Sequence, residues 1–323
     1  MRVLVLGATG LLGHQVCREL APRGIDVAGV SRRGGAAPGA PAGIPVTAYD
    51  IAAATDGELR DLLTGYDALV YALGPDDRER VRGSAREFFT EHLVGPTARV
   101  AAAAGAVGVG RLVILGSYFA TMHRAHPQWR LAERHPYVAA RVEQTRSARA
   151  AAVGTDVVTL EIPYVFGAVP GIEPMWKSVL FDVIRRSPVV PAPPGGTAVV
   201  TVVQVGQAVA TLVESGAPDP EVAIADENLT FTTIFGVVAD ELGLRRPRVR
   251  VPVPLLTVGM AAELVSMRLK GLDSGLDPLK LAPDLLGRSL YVDLPRSRSV
   301  LRHESGGVEA AIRASVRAAY PGL

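Results

Sequence analysis

The sequence predicts an α/β protein: a doubly wound parallel sheet followed by a smaller C-terminal lobe. Residues 1–13, MRVLVLGATGLLG, carry an all-apolar strand directly into a glycine-rich turn, the pattern of a parallel strand covered on both faces. Strand-like and helix-like segments then alternate as far as residue 162, which argues for a parallel sheet with covering helices. Beyond that point the pattern changes. Residues 188–196, PVVPAPPGG, form a loop that no helix or strand interior would tolerate.

In chain order, strands are expected at 2–6, 26–30, 45–48, 68–72, 111–116 and 156–162, with helices at 11–22, 57–63, 84–104 and 137–152. The third helix ends in the alanine run 101–104 and stops at Gly105, as helices commonly do. Gly34 to Pro45 reads as an exposed loop. In the second half, 199–205 is extended, 207–214 helical, 222–225 a strand and 232–242 a helix. Segments 249–253 and 255–269 and a last helix at 306–319 complete the smaller lobe. The expected division is a nucleotide-binding domain at 1–162, to which the chain returns at about 201–226. Residues 163–200 and 227–323 would form the substrate lobe.

Composition narrows the function classes. The chain has 323 residues, 48% of them hydrophobic, but no apolar run of about 18 residues that would span a bilayer. It starts on a strand and lacks the basic segment and cleavage site of a secretory leader. Its one cysteine, Cys17, excludes an internal disulfide framework and suits a reducing, cytoplasmic setting. Net charge is +2. The densest basic run, Arg245 to Arg250, has no interleaved aromatics, so nucleic acid is not an expected partner. His123-x-x-His126 lacks the spacing of a zinc motif, and no metal site is expected.

The turn after the first strand carries the chemistry. Gly7 permits the tight turn, Gly10 lets a pyrophosphate approach the backbone, and Gly13 lets the helix pack close. Gly7, Thr9, Gly10, Leu11, Leu12 and Gly13 together form a dinucleotide cradle, with the free N–H groups of the helix start facing the anion. At the end of the second strand stand Ser31, Arg32 and Arg33. A carboxylate there would repel a 2′-phosphate, whereas guanidiniums pair with one. The expected cofactor is therefore NADP in preference to NAD.

The spacing G-x-x-G-x-x-G, with Ala-Thr between the first two glycines, resembles the extended branch of the short-chain dehydrogenase/reductase superfamily, the group labelled NAD-dependent epimerase/dehydratase. The resemblance implies a Rossmann domain. It implies that Asp50 and Ile51 contact the adenine, although Asp50 would serve equally as a helix cap. Ala72-Leu73-Gly74 would lie beside the ribose and pyrophosphate. The family's Tyr-x-x-x-Lys appears here as Tyr137-Val138-Ala139-Ala140-Arg141. Tyr137 would be the general acid or base, and Arg141, four residues on and on the same helical face, would replace the lysine. Lysine's charge in the family lowers the tyrosine pKa, and Arg141 keeps a positive charge near Tyr137.

Further positions follow the resemblance with changes. Ser117 matches one of the strand-five serines, and Tyr118 stands where the family's catalytic Ser or Thr does. The hydroxyl beside Tyr137 could come from Ser117, Tyr118 or Thr121. His92 replaces an asparagine of the fourth helix. Pro163, Tyr164 and Val165 match the segment whose backbone holds the nicotinamide amide, preceded by Glu161 in place of arginine. Gln204 replaces an aspartate. Tyr118, Phe166 and Trp176 would line the substrate pocket.

The reading is an NADP-dependent oxidoreductase acting on a carbonyl or carbinol carbon of a small molecule. One alternative is a nucleotide-sugar epimerase or dehydratase with tightly held NAD. Another is a dinucleotide-binding sensor or assembly factor without chemistry. Family resemblance also suggests a homodimer through the helices at 84–104 and 137–152.

Overall fold

A computed structural model describes residues 1–322. Seven strands form the central sheet: β1 (Arg2–Leu6), β2 (Asp26–Ser31), β3 (Val46–Ala48), β4 (Ala68–Tyr71), β5 (Arg111–Ser117), β6 (Asp156–Ile162) and β7 (Glu221–Ala223). Their spatial order is β7-β6-β5-β4-β1-β2-β3, and every pair is parallel. This is the doubly wound Rossmann order. The strand order reverses between β1 and β4, which opens a crevice at their carboxyl ends.

Alternation along β1 sends Val3 and Val5 to one face and Leu4 and Leu6 to the other. The first face is covered by α1 (Leu11–Leu20) and, from the second half of the chain, by a helix at Val202–Ser215. Val16, Cys17 and Leu20 pack there with Val205, Val209 and Leu212. The second face carries α2 (Asp56–Leu63), α3 (Gly95–Ala106) and α4 (Pro136–Ala151), which bury Leu59, Leu63, Val100, Ala104 and Ala148 against Leu4, Leu6, Leu112 and Ile114. Removing each such Leu, Ile or Val side chain from water contributes about 1.5–3 kcal/mol, and each alanine methyl about 0.8 kcal/mol. Cys17 is fully buried and its thiol is pushed up to about 12 by that burial, so it is an inert core residue.

The second lobe is built on the strand Gly196–Thr201, which pairs antiparallel with Glu227–Thr230 and parallel with Tyr164–Phe166 and Ser289–Leu290. Its core gathers Phe181, Ile184, Phe231, Ile234, Val238, Ile312 and Val316. The helix Leu294–Leu301 turns back, and its Leu301 joins the α1 side of the sheet.

Four local expectations change. The single helix at 84–104 is instead Ala85–Phe89, a wider π-helical turn Thr90–Val94, and α3 beginning at Gly95-Pro96. Pro96 lacks the N–H that would continue regular helical bonding. The extended stretch at 199–205 ends at Thr201, because Thr201 and Gln204 form a reciprocal capping box that starts the next helix at Val202. The proline-rich segment contains a strand, Val190–Ala192, paired only with Arg248–Arg250; two-stranded edges admit proline. The loop 34–45 is only partly exposed. Ala37, Gly39 and Pro41 are buried, and the carbonyl of Gly39 lies 2.9 Å from Nδ1 of His14, which draws the loop over the glycine turn.

Candidate active site

The crevice at the switch point is one open cleft. Gly10 to Gly13 line it on one side, Ala72, Leu73, Gly74, Asp76 and Asp77 beyond the end of β4, and Leu115 to Phe119 at the end of β5. Tyr137 and Arg141 of α4, Ile162 to Val165, and Met175-Trp176 complete it.

Two glycines of the turn are sterically obligatory. Gly7 has φ +94°, and a Cβ there would sit 2.4 Å from the carbonyl oxygen of Ala72. At Gly13 a Cβ would meet the oxygen of Gly7 at 2.1 Å, so α1 can approach β1 only with hydrogen at this position. Gly10 differs: its Cβ would touch only the Gly7 oxygen, at 3.4 Å, and the residue borders the cleft. Gly10 is also the N-cap of α1, which has neither a side-chain cap nor an acidic residue in its first turn. The helix start therefore keeps free donors and an uncompensated positive end for an anion. These features fit a dinucleotide pyrophosphate.

At the other end of the cleft, α4 presents Tyr137 and Arg141 one turn apart. Tyr137 is 5% exposed, held edge-on between the rings of Phe89 and Phe119, and its backbone N–H donates to Gly275. Arg141 donates from Nε to the Tyr137 hydroxyl at 2.9 Å. From Nη1 it donates to the Leu115 carbonyl at 3.2 Å and to Gln144 Oε1 at 2.9 Å. Gln144 in turn donates to Thr97, which donates to Leu93. The guanidinium is fixed by this network, while Nη2 has no partner among the described residues. Burial raises the Tyr137 pKa and Asp77 adds to the rise, outweighing the lowering by Arg141. The cation therefore keeps Tyr137 from rising further without bringing it below the ordinary range, because the pair is buried together.

Of the three hydroxyls proposed beside Tyr137, the structure separates the roles. Ser117 lines the cleft and its Oγ accepts from the Phe119 amide at 3.4 Å, which leaves its O–H free to donate. Tyr118 lines the same wall, but its hydroxyl is engaged with Thr197 Oγ1 at 2.7 Å, tying β5 to the second lobe. Thr121 faces away and hydrogen-bonds Glu161.

Several expected residues lie outside the cleft. Thr9 is not among its lining residues, nor are Ser31, Arg32 and Arg33. Arg32 and Arg33 are exposed and make no hydrogen bond or ion pair with any described residue. Asp50 accepts from the Ala52 amide at 3.0 Å, a local turn, and Ile51 is buried in the α2 layer. His92 is exposed and stacked on Phe88, since the π-helical turn rotates it outward. Phe166 is a correction: it is 1% exposed and packs beneath Trp176 in the lobe core. The Val165 carbonyl already accepts from Trp176 Nε1 at 2.6 Å.

Other polar substitutions have structural explanations. Glu161 is buried and paired with Arg124 at 2.6 Å, so a residue on the neighbouring helix supplies the cation. Gln204 caps its helix and donates to Asp226. The residues missed in the sequence are Asp76 and Asp77. Their signal was a pair of acids just past Gly74, the last small residue of the cradle.

Fold and cleft define an α/β protein of the doubly wound, nucleotide-binding class, with a buried Tyr–Arg pair at one end of its cleft. Residues 3–196 match the sequence profile of the NAD dependent epimerase/dehydratase family, so the chain belongs to that family and is an enzyme of the extended short-chain dehydrogenase/reductase type. No curated protein sequence matches it. Among solved structures it is similar to MoeE5 in complex with UDP-glucose and NAD, at 19% identity over 98% of both chains and a TM-score of 0.67. It is also similar to the Bordetella bronchiseptica enzyme WbmH in complex with NAD+, at 14% identity over 100% of this chain and 99% of that one, with a TM-score of 0.70. A third similar structure is UDP-glucuronic acid 4-epimerase from Bacillus cereus with UDP-glucuronic acid and NAD, at 12% identity over 99% of each chain and a TM-score of 0.69. These likenesses concern the fold. No helix among the described residues is long and apolar enough to cross a membrane.

Proposed function

We propose that the protein is a nucleotide-sugar epimerase or dehydratase that holds NAD through its cycle. The observation that carries the reading is the buried Tyr137–Arg141 pair, which lines one cleft together with Ser117 and the Gly10–Gly13 cradle. Family membership and the similarity to enzymes crystallised with NAD and UDP-sugars support it.

The turn and the start of α1 would hold the pyrophosphate, Ala72 to Gly74 the adjoining ribose, and Tyr137 with Arg141 Nη2 the nicotinamide ribose. Bound there, the nicotinamide supplies the hydride acceptor and donor. Tyr137 moves the proton. Because Arg141 Nε–H donates to its oxygen, the phenol's own hydrogen points elsewhere and is free for a substrate oxygen, so Tyr137 acts as a general acid. Its conjugate base is stabilised by the same Nε–H, which suits it to accept the proton of a carbinol. Ser117 O–H donates to the same substrate oxygen as charge develops there.

Two tests apply. Nucleotide released from the denatured, freshly purified protein is identified, and the protein is incubated with UDP-glucose and UDP-glucuronic acid while products are followed by NMR. The reading expects co-purified NAD and an isomerised or dehydrated sugar. An empty protein that oxidises NADPH stoichiometrically with simple carbonyl compounds refutes it. That outcome would establish a second reading, an NADP-dependent reductase, which rests on the unpaired Arg32 and Arg33 at the end of β2.

A further inference from the structure

We propose that Asp77 selects the substrate by charge: its carboxylate accepts a hydrogen bond from a hydroxyl or ammonium group on the reacting sugar and rejects a carboxylate at that place. The inference rests on the nucleotide-sugar reading above and adds the chemical class of sugar.

Asp77 reaches the cleft on the segment that leaves β4, among Ser117, Tyr118, Tyr137, Tyr164 and Trp176. Its neighbour Asp76 is committed. It accepts from Arg78 Nε at 3.2 Å, and Arg78 also donates across the cleft to the Met175 carbonyl, which ties the β4 loop to the opposite wall. Asp77 makes no hydrogen bond or ion pair with any other described residue; only its own backbone amide favours the carboxylate. A half-buried carboxylate without a protein partner, in a cleft shaped for a ligand, is satisfied by water or by that ligand.

The groups around it fix the sign of the selection. Desolvation and then Asp76 raise the Asp77 carboxyl to about 6, while Arg78, its own backbone amide and Arg141 oppose the rise. It is therefore mainly ionised at neutral pH. Of the two nearby cations, Arg78 is engaged by Asp76 and Met175, and Arg141 is held by Tyr137, Leu115 and Gln144 through Nε and Nη1, leaving only Nη2, which the reading above gives to the nicotinamide ribose. A substrate carboxylate brought here would meet a like charge in a partly desolvated cleft. A hydroxyl would supply the donor that Asp77 lacks.

The test is calorimetric titration of the NAD-loaded protein with UDP, UDP-glucose and UDP-glucuronic acid at neutral pH. The wild type should bind UDP-glucose at least about 10-fold more tightly than UDP-glucuronic acid, about 1.4 kcal/mol. Asp77→Asn should erase the difference by improving the acid's affinity, and Asp77→Lys should invert it, with free UDP binding equally to all three proteins. Equal wild-type affinities, or an unchanged ratio in both folded variants, overturn the role of Asp77 while leaving the nucleotide-sugar reading intact. Failure of UDP and both sugars to bind overturns that reading, and the selection with it.

Discussion

Replacing Arg141 by alanine separates the two jobs that the structure gives this side chain. Its Cζ lies 5.1 Å from the centre of the Tyr137 ring, and the residue as a whole is only 9% exposed. At an effective dielectric of about 20, unit charges at that range interact by roughly 3 kcal/mol, on the order of a 100-fold change in the tyrosinate population. Arg141→Ala should therefore make Tyr137 harder to ionise and move upward the limb of the kcat/KM–pH profile that reports its ionisation. The same variant leaves Gln144 Oε1 and the Leu115 carbonyl without their donor, at about 1–3 kcal/mol for each group left dry. A loss of roughly 2–4 kcal/mol in urea unfolding should follow, reduced where cleft water replaces the guanidinium. Arg141→Lys keeps the charge and loses the planar fork, so its pH limb should stay near the wild-type position while part of the stability loss remains. The reasoning fails if Arg141→Ala folds with an unmoved limb, or if lysine shifts the limb as far as alanine does.

Three further outcomes are expected. Gly13→Ala should lower stability by about 1–3 kcal/mol or more through its backbone clash, whereas Gly10→Ala should melt near the wild type yet bind NAD at least about 10-fold more weakly; thermal melts with and without nucleotide distinguish them. Arg32→Ala and Arg33→Ala should weaken NADPH binding by about 10-fold each at low salt and leave NADH binding unchanged; equal effects on both nucleotides would remove the second functional reading. Asp77 has a folded pKa of about 6 against its ordinary 3.8, so between those values the native state binds more protons than the unfolded chain. Its contribution is thus fully present below about pH 3.8 and is lost as pH rises through 6. Asp77→Asn should flatten that part of the pH-dependent stability measured by urea unfolding.

The sequence by itself determined what depends on neighbours along the chain. The apolar run of β1, the glycine spacing and the i, i+4 placement of Tyr137 and Arg141 are local patterns: strand and helix periodicities carry them, and the steric clash of a Cβ at Gly13 with Gly7 enforces the turn. Sheet class was legible for the same reason, because buried parallel strands read as unbroken apolar runs. Tertiary structure alone decided which groups meet across elements. Glu161 is paired because Arg124 on another element reaches it, and Tyr118 loses its free phenol to Thr197, 79 residues away. His92 leaves the cleft because the helix around it winds more widely, and Phe166 drops beneath Trp176. Asp77 stands in the cleft beside an Arg78 that is taken by Asp76 and bridges to Met175. Charge and burial are properties of such meetings, so the pKa of Tyr137 and the freedom of Asp77 follow from packing that no local pattern encodes.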